Sequence, residues 1–312
     1  MVFDDALIYL IAFVAIWFGA GLIIKSIDHF SRRLRISRFS VSFFILGILT
    51  SIPEFAVGLT SISENNPEIF IGNLLGGIPV IFLFIIPILA IAGKEIRIAK
   101  NLDKHTLIFA FVVTALPSFF SLDQVFTNLE SIIMLILYVL LFFYIERHKG
   151  LLDRSNHQLM TLKSYSLLDM LKLLLGVVIV FLSSHVIVDK TVYFSGAFGV
   201  SPYIVSLIAL SLGTNMPELS LAVRSIFSGK KDIALGDYLG SAAANTLLFG
   251  VFSLLNSQSI TTANNFLTTF VFITLGMGFF FYYSRSDRNI SRMEGISLLS
   301  LYLLFVLLEL VK

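Results

Sequence analysis

The sequence predicts an all-α membrane protein with ten transmembrane helices, arranged as two inverted five-helix repeats in which helices 2 and 7 are broken. Three observations lead to this fold class. The 312 residues are 57% hydrophobic and have a mean hydropathy of +0.91, whereas soluble domains are roughly 45–50% apolar. Basic residues are concentrated in every second loop between the apolar segments. The chain also aligns on itself at an offset of 164 residues.

Ten segments are apolar over about 20 residues, the length that an α-helix needs to cross the hydrocarbon core of a bilayer. They cover residues 5–24, 39–62, 68–92, 106–122, 129–145, 168–188, 201–227, 232–255, 264–284 and 293–311. The connections between them are short, so we expect a lipid-embedded protein without an attached soluble domain.

The basic residues test the count of ten, because Lys and Arg in short loops concentrate on the cytoplasmic side. With ten spans, 20 of the 22 basic residues fall on one side, and Lys190 and Lys312 fall on the other. This alternation places both termini outside the cell. The net charge of +2 is then a sign of topology, and we expect no nucleic-acid partner.

The internal alignment joins residues 41–81 to residues 205–245 without a gap, with 12 identities in 41 positions. The informative matches are Thr-x-x-Pro-Glu and Gly-x-x-x-Gly, since Leu and Ile match by chance in apolar sequences. Five helices precede the second copy, so its helices cross in the opposite direction, which is typical of secondary transporters. The domains are therefore a first repeat (1–145), a cytoplasmic linker (146–167) and a second repeat (168–312).

Each repeat carries a proline and a glutamate in the middle of a membrane-length segment, at Pro53-Glu54 and Pro217-Glu218. Proline removes a helical hydrogen bond, and a carboxylate at the bilayer centre costs roughly 2.5–3.5 kcal/mol on insertion scales. Both are tolerated where the backbone faces a polar cavity. The inverted repeat brings Glu54 and Glu218 to one midplane site, where two carboxylates and neutral oxygens suit a hard cation such as Ca²⁺ or Na⁺.

At these residues the chain resembles the calcium/cation antiporter superfamily, and within it the prokaryotic sodium/calcium exchangers. The resemblance spans most of both halves and rests on TSIPE, GTNMPE and GDYLGSAAAN. It implies an antiporter that moves Ca²⁺ and Na⁺ as bound ions, with no other cofactor and no enzymatic activity. The ligands that it implies are Thr50, Ser51, Glu54, Thr214, Asn215, Glu218, Ser241 and Asn245. Asn73 and Asp237 are two further candidates.

The first repeat departs from the family pattern. Gly77 replaces a serine and Ile81 replaces an asparagine, while Asp237 of the second repeat replaces an asparagine. The loss of side-chain oxygens leaves three readings open. They are Ca²⁺/Na⁺ exchange, exchange of Ca²⁺ or another cation for protons with a reduced sodium site, and a degenerate protein that binds cations without transporting them. We expect the chain in the plasma membrane of a prokaryote; the sequence leaves its oligomeric state open.

Overall fold

The computed structural model describes residues 2–31, 43–44, 47–93, 95–97, 104–153, 167–219, 223, 231–256, 259–286 and 289–311. Within these residues the protein consists of helices, four very short strands and the turns and irregular segments that join them. The helices are α1 (Val2–Ser31), α2 (Gly47–Thr50), α3 (Ile52–Ser63), α4 (Pro67–Pro79), α5 (Ile86–Ala92), α6 (Lys104–Phe120), α7 (Asn128–Asp153), α8 (Leu167–Phe198), α9 (Pro202–Val205), α10 (Ser211–Thr214), α11 (Lys231–Leu255), α12 (Leu267–Ser286) and α13 (Arg292–Leu310). The strands are β1 (Glu95–Arg97), β2 (Val125–Phe126), β3 (Ile260–Thr261) and β4 (Asn289–Ser291).

Eight stretches of the described chain are long and apolar enough to cross a membrane. They are Phe3–Ile23, Pro67–Ala92, Lys104–Asp123, Asn128–Arg147, Leu171–Phe198, Tyr238–Leu255, Leu267–Arg285 and Arg292–Leu310. Each coincides with one of the ten predicted segments. The other two predicted segments, 39–62 and 201–227, are the ones with a Pro-Glu pair, and the structure divides each of them into short helical pieces.

Several helices begin with a proline, which has no N–H to satisfy, or with a side chain that caps the first turn. Pro67 opens α4 and Pro202 opens α9, positions that need no N–H donor. Ser291 and Glu294 form a reciprocal capping box at the start of α13. The helix α7 continues to Asp153, which lies within the predicted linker 146–167, and residues 154–166 fall outside the described chain.

The 164-residue offset also relates structural features of the two halves, inside and outside the aligned residues. Strand β1 pairs with β4, and β2 pairs with β3, both antiparallel. Ile96 pairs with Ile290 in the first ribbon. Adding 164 to 96 and subtracting 164 from 290 gives Ile260 and Phe126, which pair in the second ribbon. Residues 43–44 are π-helical, and so is the shifted stretch within Ser206–Leu210. Each two-stranded ribbon therefore joins one loop from each half of the chain.

The apolar interior falls into two clusters of buried side chains. The larger cluster is built mainly from α4 to α7 and α11 to α13. The smaller one is formed by α1 and α8, together with a few residues of α3, α4 and the segment before α10. Helices α1 and α8 approach closely, since a Cβ atom on Gly19 would lie 3.0 Å from the carbonyl oxygen of Gly176. The hydroxyls of Tyr9 and Thr191 also meet at 2.9 Å.

Glycines allow the two halves to cross at very short range, as the small-xxx-small pattern predicts. A Cβ on Gly72 would lie 2.4 Å from the carbonyl oxygen of Tyr203, and one on Gly76 would lie 2.1 Å from that of Leu207. The equivalent crossing in the other half brings Gly240 against the carbonyl oxygen of Phe43. These contacts hold α4 against α9 and its π-helical extension, and α11 against α2 and the residues before it. Gly236 lies in α11, but its surroundings are outside the description.

We expect Gly240→Ala to destabilise the protein strongly, because its Cβ would meet the Phe43 carbonyl oxygen at 1.7 Å. A backbone atom cannot yield as a flexible side chain can, so the loss should exceed about 2 kcal/mol of unfolding free energy. Thermal unfolding of the purified protein in detergent measures the effect. Gly278→Ala on α12 is the matched control, since nothing lies within 4 Å of its added Cβ. Equal melting temperatures for the two variants would contradict the tight crossing.

Candidate functional site

The two predicted breaks have the same backbone structure. Helix α2 ends at Thr50 and α3 begins at Ile52, so Ser51 separates them. Helix α10 ends at Thr214, and Asn215 separates it from helical residues 216–219. The N–H groups of Ser51 and Asn215 each donate to the carbonyl four residues earlier, at 3.2 Å in both cases. The two halves thus form one local structure twice.

Proline explains why each helix is interrupted at this point. Pro53 has no N–H, so the carbonyl of Leu49 loses its helical donor. Pro217 likewise removes the helical donor to the carbonyl of Gly213.

Glu54 and Glu218 are both buried, with 1% and 0% of their surface exposed. They lie close enough for their charges to repel each other. In each residue the oxygen Oε2 is buried and finds no hydrogen-bond donor within the described chain. No basic side chain of the described ranges forms an ion pair with either glutamate. Two buried carboxylates with unsatisfied oxygens are energetically costly unless cations or protons neutralise them.

The hydroxyl groups near the glutamates connect the two halves. The Ser241 hydroxyl donates to Oε1 of Glu218 at 2.7 Å, and its oxygen lies 3.5 Å from the Ser51 hydroxyl. The side chain of Thr214 lies beside that of Glu54, and the side chain of Thr50 lies beside that of Glu218. Each threonine thus faces the glutamate of the opposite repeat.

The two asparagines predicted as ligands are held by their amide nitrogens. Nδ2 of Asn215 donates to the carbonyl of Ser211 at 2.8 Å, and Nδ2 of Asn245 donates to the carbonyl of Leu74 at 3.1 Å. Both side chains are almost completely buried. Because the nitrogens are occupied by the backbone, the amide oxygens are the atoms left to accept a cation or a proton donor.

Of the two further candidates, Asn73 lies in the site and Asp237 is undetermined. Asn73 is fully buried, and its Oδ1 accepts a hydrogen bond from Thr214 at 2.9 Å. Asp237 belongs to α11, but its side chain lies outside the described residues.

The departures of the first repeat change how the site is filled. A Cβ on Gly77 would lie 2.7 Å from Nδ2 of Asn245 and 3.2 Å from Nδ2 of Asn215. The absence of a side chain at Gly77 thus makes room for both amides. Ile81 is fully buried in the larger apolar cluster, so it adds a hydrocarbon surface where the second repeat has Asn245.

The arrangement is rich in oxygen atoms and carries two buried acids. The described residues contain no group of three or more His, Cys, Asp or Glu side chains that could hold a metal ion. The oxygen ligands available are two carboxylates, hydroxyls, amide oxygens and freed carbonyls. Calcium accepts such mixed oxygen ligands in flexible geometry. Anions would be repelled by the two acids.

Two polar contacts that the sequence did not predict join α8 to α3 and to the residue that follows α3. The hydroxyls of Thr60 and Ser184 meet at 2.7 Å, and both are buried. Nδ1 of His185 lies 2.8 Å from Oε1 of Glu64. The spacing of four between Thr60 and Glu64 puts them on one helical face, which is the signal that the sequence offered.

Comparison with known proteins identifies the family of the chain. The family described as "Sodium/calcium exchanger protein" matches residues 5–145 and 169–311. The chain is 27% identical to "Putative antiporter CaxA" of Alkalimonas amylolytica over 94% of its length and 97% of that protein. It is 23% identical to "Sodium/calcium exchanger MaX1" of Methanosarcina acetivorans, with 98% of each chain covered.

Solved structures show the same fold. The sodium-calcium exchanger NCX_Mj superposes with a TM-score of 0.69 at 20% identity, covering 98% of this chain and 99% of the other. The H⁺/Ca²⁺ exchanger CAX superposes with a TM-score of 0.76 at 13% identity, covering 98% and 86%. The family match covers nearly the whole of both halves, and its members are secondary transporters rather than enzymes. The chain therefore belongs to the sodium/calcium exchanger protein family.

Proposed function

We propose that the protein is a secondary active antiporter that exchanges Ca²⁺, or a similar cation, for Na⁺ by alternating access. The observation that carries this proposal is the pair Glu54 and Glu218. These buried acids come from equivalent breaks in the two halves, and each has an oxygen without a donor within the described chain. One Ca²⁺ ion neutralises both charges, as do two monovalent ions. The cation-binding residues proposed are Thr50, Ser51, Glu54, Thr214, Asn215, Glu218, Ser241 and Asn245.

Charge neutralisation explains why such a site would exchange ions rather than leak them. A site that carries two uncompensated negative charges is costly to move through a low-dielectric interior. The carrier therefore reorients when it is loaded and stays in place when it is empty. Each crossing then carries one kind of ion in exchange for the other.

The proposed topology has ten spans with both termini outside, in the plasma membrane of a prokaryote. The eight long apolar helices supply eight spans. The ninth and tenth consist of the pieces on either side of Ser51 and Asn215. The two ribbons, which are related by the 164-residue offset, support an inverted repeat.

The proposed moving part is the pair of helices α1 and α8. These helices form a separate apolar cluster with a small contribution from the rest of the protein. The side chain of Phe13 on α1 lies against Gly213, next to the second break. A slide of the pair along α3 and α10 would uncover the glutamates from one side and then from the other, as in other transporters built from inverted repeats.

Proton coupling is the second candidate, and the composition of the first repeat favours it. Gly77 and Ile81 offer no side-chain oxygen, so the site holds fewer neutral ligands for separate sodium ions. Protonation of the two acids would neutralise the site equally well. A protein that binds cations without transporting them is the third candidate.

Uptake of ⁴⁵Ca²⁺ into proteoliposomes distinguishes the three candidates. We expect uptake when an outward sodium gradient is imposed. Uptake under a proton gradient only would assign the protein to the proton-coupled exchangers. Saturable binding without uptake, and without Ca²⁺/Ca²⁺ counterflow, would leave the degenerate protein as the explanation.

Gly77→Ser should increase the dependence of Ca²⁺ uptake on sodium. The new hydroxyl would lie beside the amides of Asn215 and Asn245 and would add an oxygen ligand. We expect a lower sodium concentration for half-maximal uptake, measured in the same vesicles. Gly77→Ala is the matched control, since it adds the same Cβ without the oxygen. If both variants shift the sodium dependence equally, the effect comes from displacement of the amides, and the ligand explanation is wrong.

A further inference from the structure

The hydrogen bond between Asn73 and Thr214 links the two halves inside the site. Thr214 belongs to the second repeat and donates through Oγ1 to Oδ1 of Asn73 on α4, at 2.9 Å. Neither residue has any exposed surface. A buried hydrogen bond at the edge of a cation site fixes the direction of the hydroxyl proton, and that direction decides what the hydroxyl oxygen can bind.

A threonine hydroxyl has one proton and two lone pairs. The Thr214 hydroxyl lies 2.9 Å from Oδ1 of Asn73 and, as a longer contact, 3.5 Å from the carbonyl of Ser211. The carboxylate of Glu54 is a further acceptor beside it. When Asn73 takes the proton, a lone pair of Thr214 faces the negative oxygen of Glu54. That arrangement is repulsive when Glu54 is ionised, unless a cation lies between the two oxygens.

We propose that Asn73 is a positioning residue that converts Thr214 into a cation ligand. In the loaded site the proton of Thr214 points to Asn73, and the oxygen of Thr214 is directed at the cation. In the empty site the same hydroxyl turns to donate to Glu54. Asn73 itself does not contact the cation. This inference rests on the proposed function, because it concerns the affinity of the same site.

The proposed role depends on the orientation of the Asn73 amide, with Oδ1 facing Thr214. In the opposite orientation Nδ2 would donate to Thr214, and the hydroxyl proton would remain on the side of Glu54. Asp at this position can only accept when it is ionised, so Asn73→Asp keeps the proposed role and removes the opposite one. The equivalent position of the second repeat is Asp237, so an acid already occupies this place in the motif.

Equilibrium binding of ⁴⁵Ca²⁺ to the purified protein in detergent tests the proposal. The variants are Asn73→Leu, Thr214→Val, the double variant and Asn73→Asp. The control is Thr191→Val, which removes a buried hydroxyl between α1 and α8. The dissociation constant and the number of sites are determined separately, because misfolding lowers the number of sites whereas loss of a positioned ligand raises the dissociation constant.

We expect each single variant to raise the dissociation constant about 10-fold, the effect of one hydrogen bond to a charged site. The dissociation constant of the double variant should not exceed that of the single variant that binds Ca²⁺ less tightly. Asn73→Asp should bind Ca²⁺ nearly as tightly as the wild-type protein. Thr191→Val should leave the dissociation constant unchanged. Additive losses in the double variant, or failure of Asn73→Asp to restore binding, would overturn the proposal.

The proposed function can fail separately from this inference. Normal Ca²⁺ binding without exchange in vesicles contradicts the antiporter, and the binding series still decides the role of Asn73. Normal binding by Asn73→Leu and Thr214→Val overturns the role of Asn73 and leaves the antiporter intact. If the wild-type protein binds no Ca²⁺, both the Ca²⁺ antiporter and the proposed role of Asn73 are excluded.

Discussion

Glu54→Gln and Glu218→Gln are each expected to abolish cation exchange. The amide has the size of the carboxylic acid and can still accept the hydrogen bond that Ser241 donates to Glu218. The substitution therefore removes one negative charge and little else. Removing the carboxylate partner of a buried cation costs about 3–5 kcal/mol, which corresponds to roughly 100-fold or more in affinity. Uptake of ⁴⁵Ca²⁺ should fall to the level of empty liposomes under any ion gradient.

Glu130→Gln provides the matched control for the two glutamates. Glu130 caps the start of α7 through Thr127, at an exposed position. Its neutralisation removes the same charge from the protein and leaves the site intact. Substantial uptake by Glu54→Gln or Glu218→Gln would show that the buried pair is not the transport site, and the proposed function would then have to be abandoned.

A disulfide between Thr60→Cys and Ser184→Cys is expected to stop exchange, and a reductant is expected to restore it. The two hydroxyls meet at 2.7 Å between α3 and α8, so the cysteines that replace them start in close contact. If the α1 and α8 pair slides past α3, this contact breaks in each transport cycle. The chain contains no native cysteine, so the engineered pair is the only one that can form.

The control crosslink joins the two strands β2 and β3. Val125 and Thr261 are register partners in the ribbon of β2 and β3. The other pair of this ribbon, Phe126 and Ile260, belongs to the larger apolar cluster. A disulfide between Val125→Cys and Thr261→Cys should leave exchange unchanged after oxidation. If the oxidised Thr60/Ser184 variant exchanges ions as fast as the reduced one, the interface between α3 and α8 does not move during transport.

The long apolar helices and the two breaks were predictable from the sequence because each has a strong local signal. Membrane-length helices are visible in hydropathy, and a Pro-Glu pair inside such a helix is rare enough to identify. The spans that coincide with Pro67–Ala92 and Asn128–Arg147 needed no knowledge of their neighbours. The repeated TSIPE and GTNMPE motifs predicted the pair of breaks at Ser51 and Asn215.

Other parts of the site depend on contacts between distant residues and carry no local signal. The bond from Thr214 to Asn73 spans the two repeats, and nothing in either segment indicates it. The closeness of Gly77 to Asn215 and Asn245 depends on how α4 crosses α10 and α11. The ribbons were missed because two or three residues are too few to show an alternating pattern. The ligand roles of the eight cation-binding candidates remain predictions.

The two ribbons have a consequence for how the protein unfolds. Each ribbon takes one strand from each half, so neither half contains a complete pair by itself. The glycine crossings follow the same rule, because α4 packs on α9 and α11 packs on α2. The repeat boundary that is clear in the sequence is therefore not a boundary of stability. Loss of one half would expose strand edges and close-packed helix faces in the other, so the two halves should melt as a single cooperative unit.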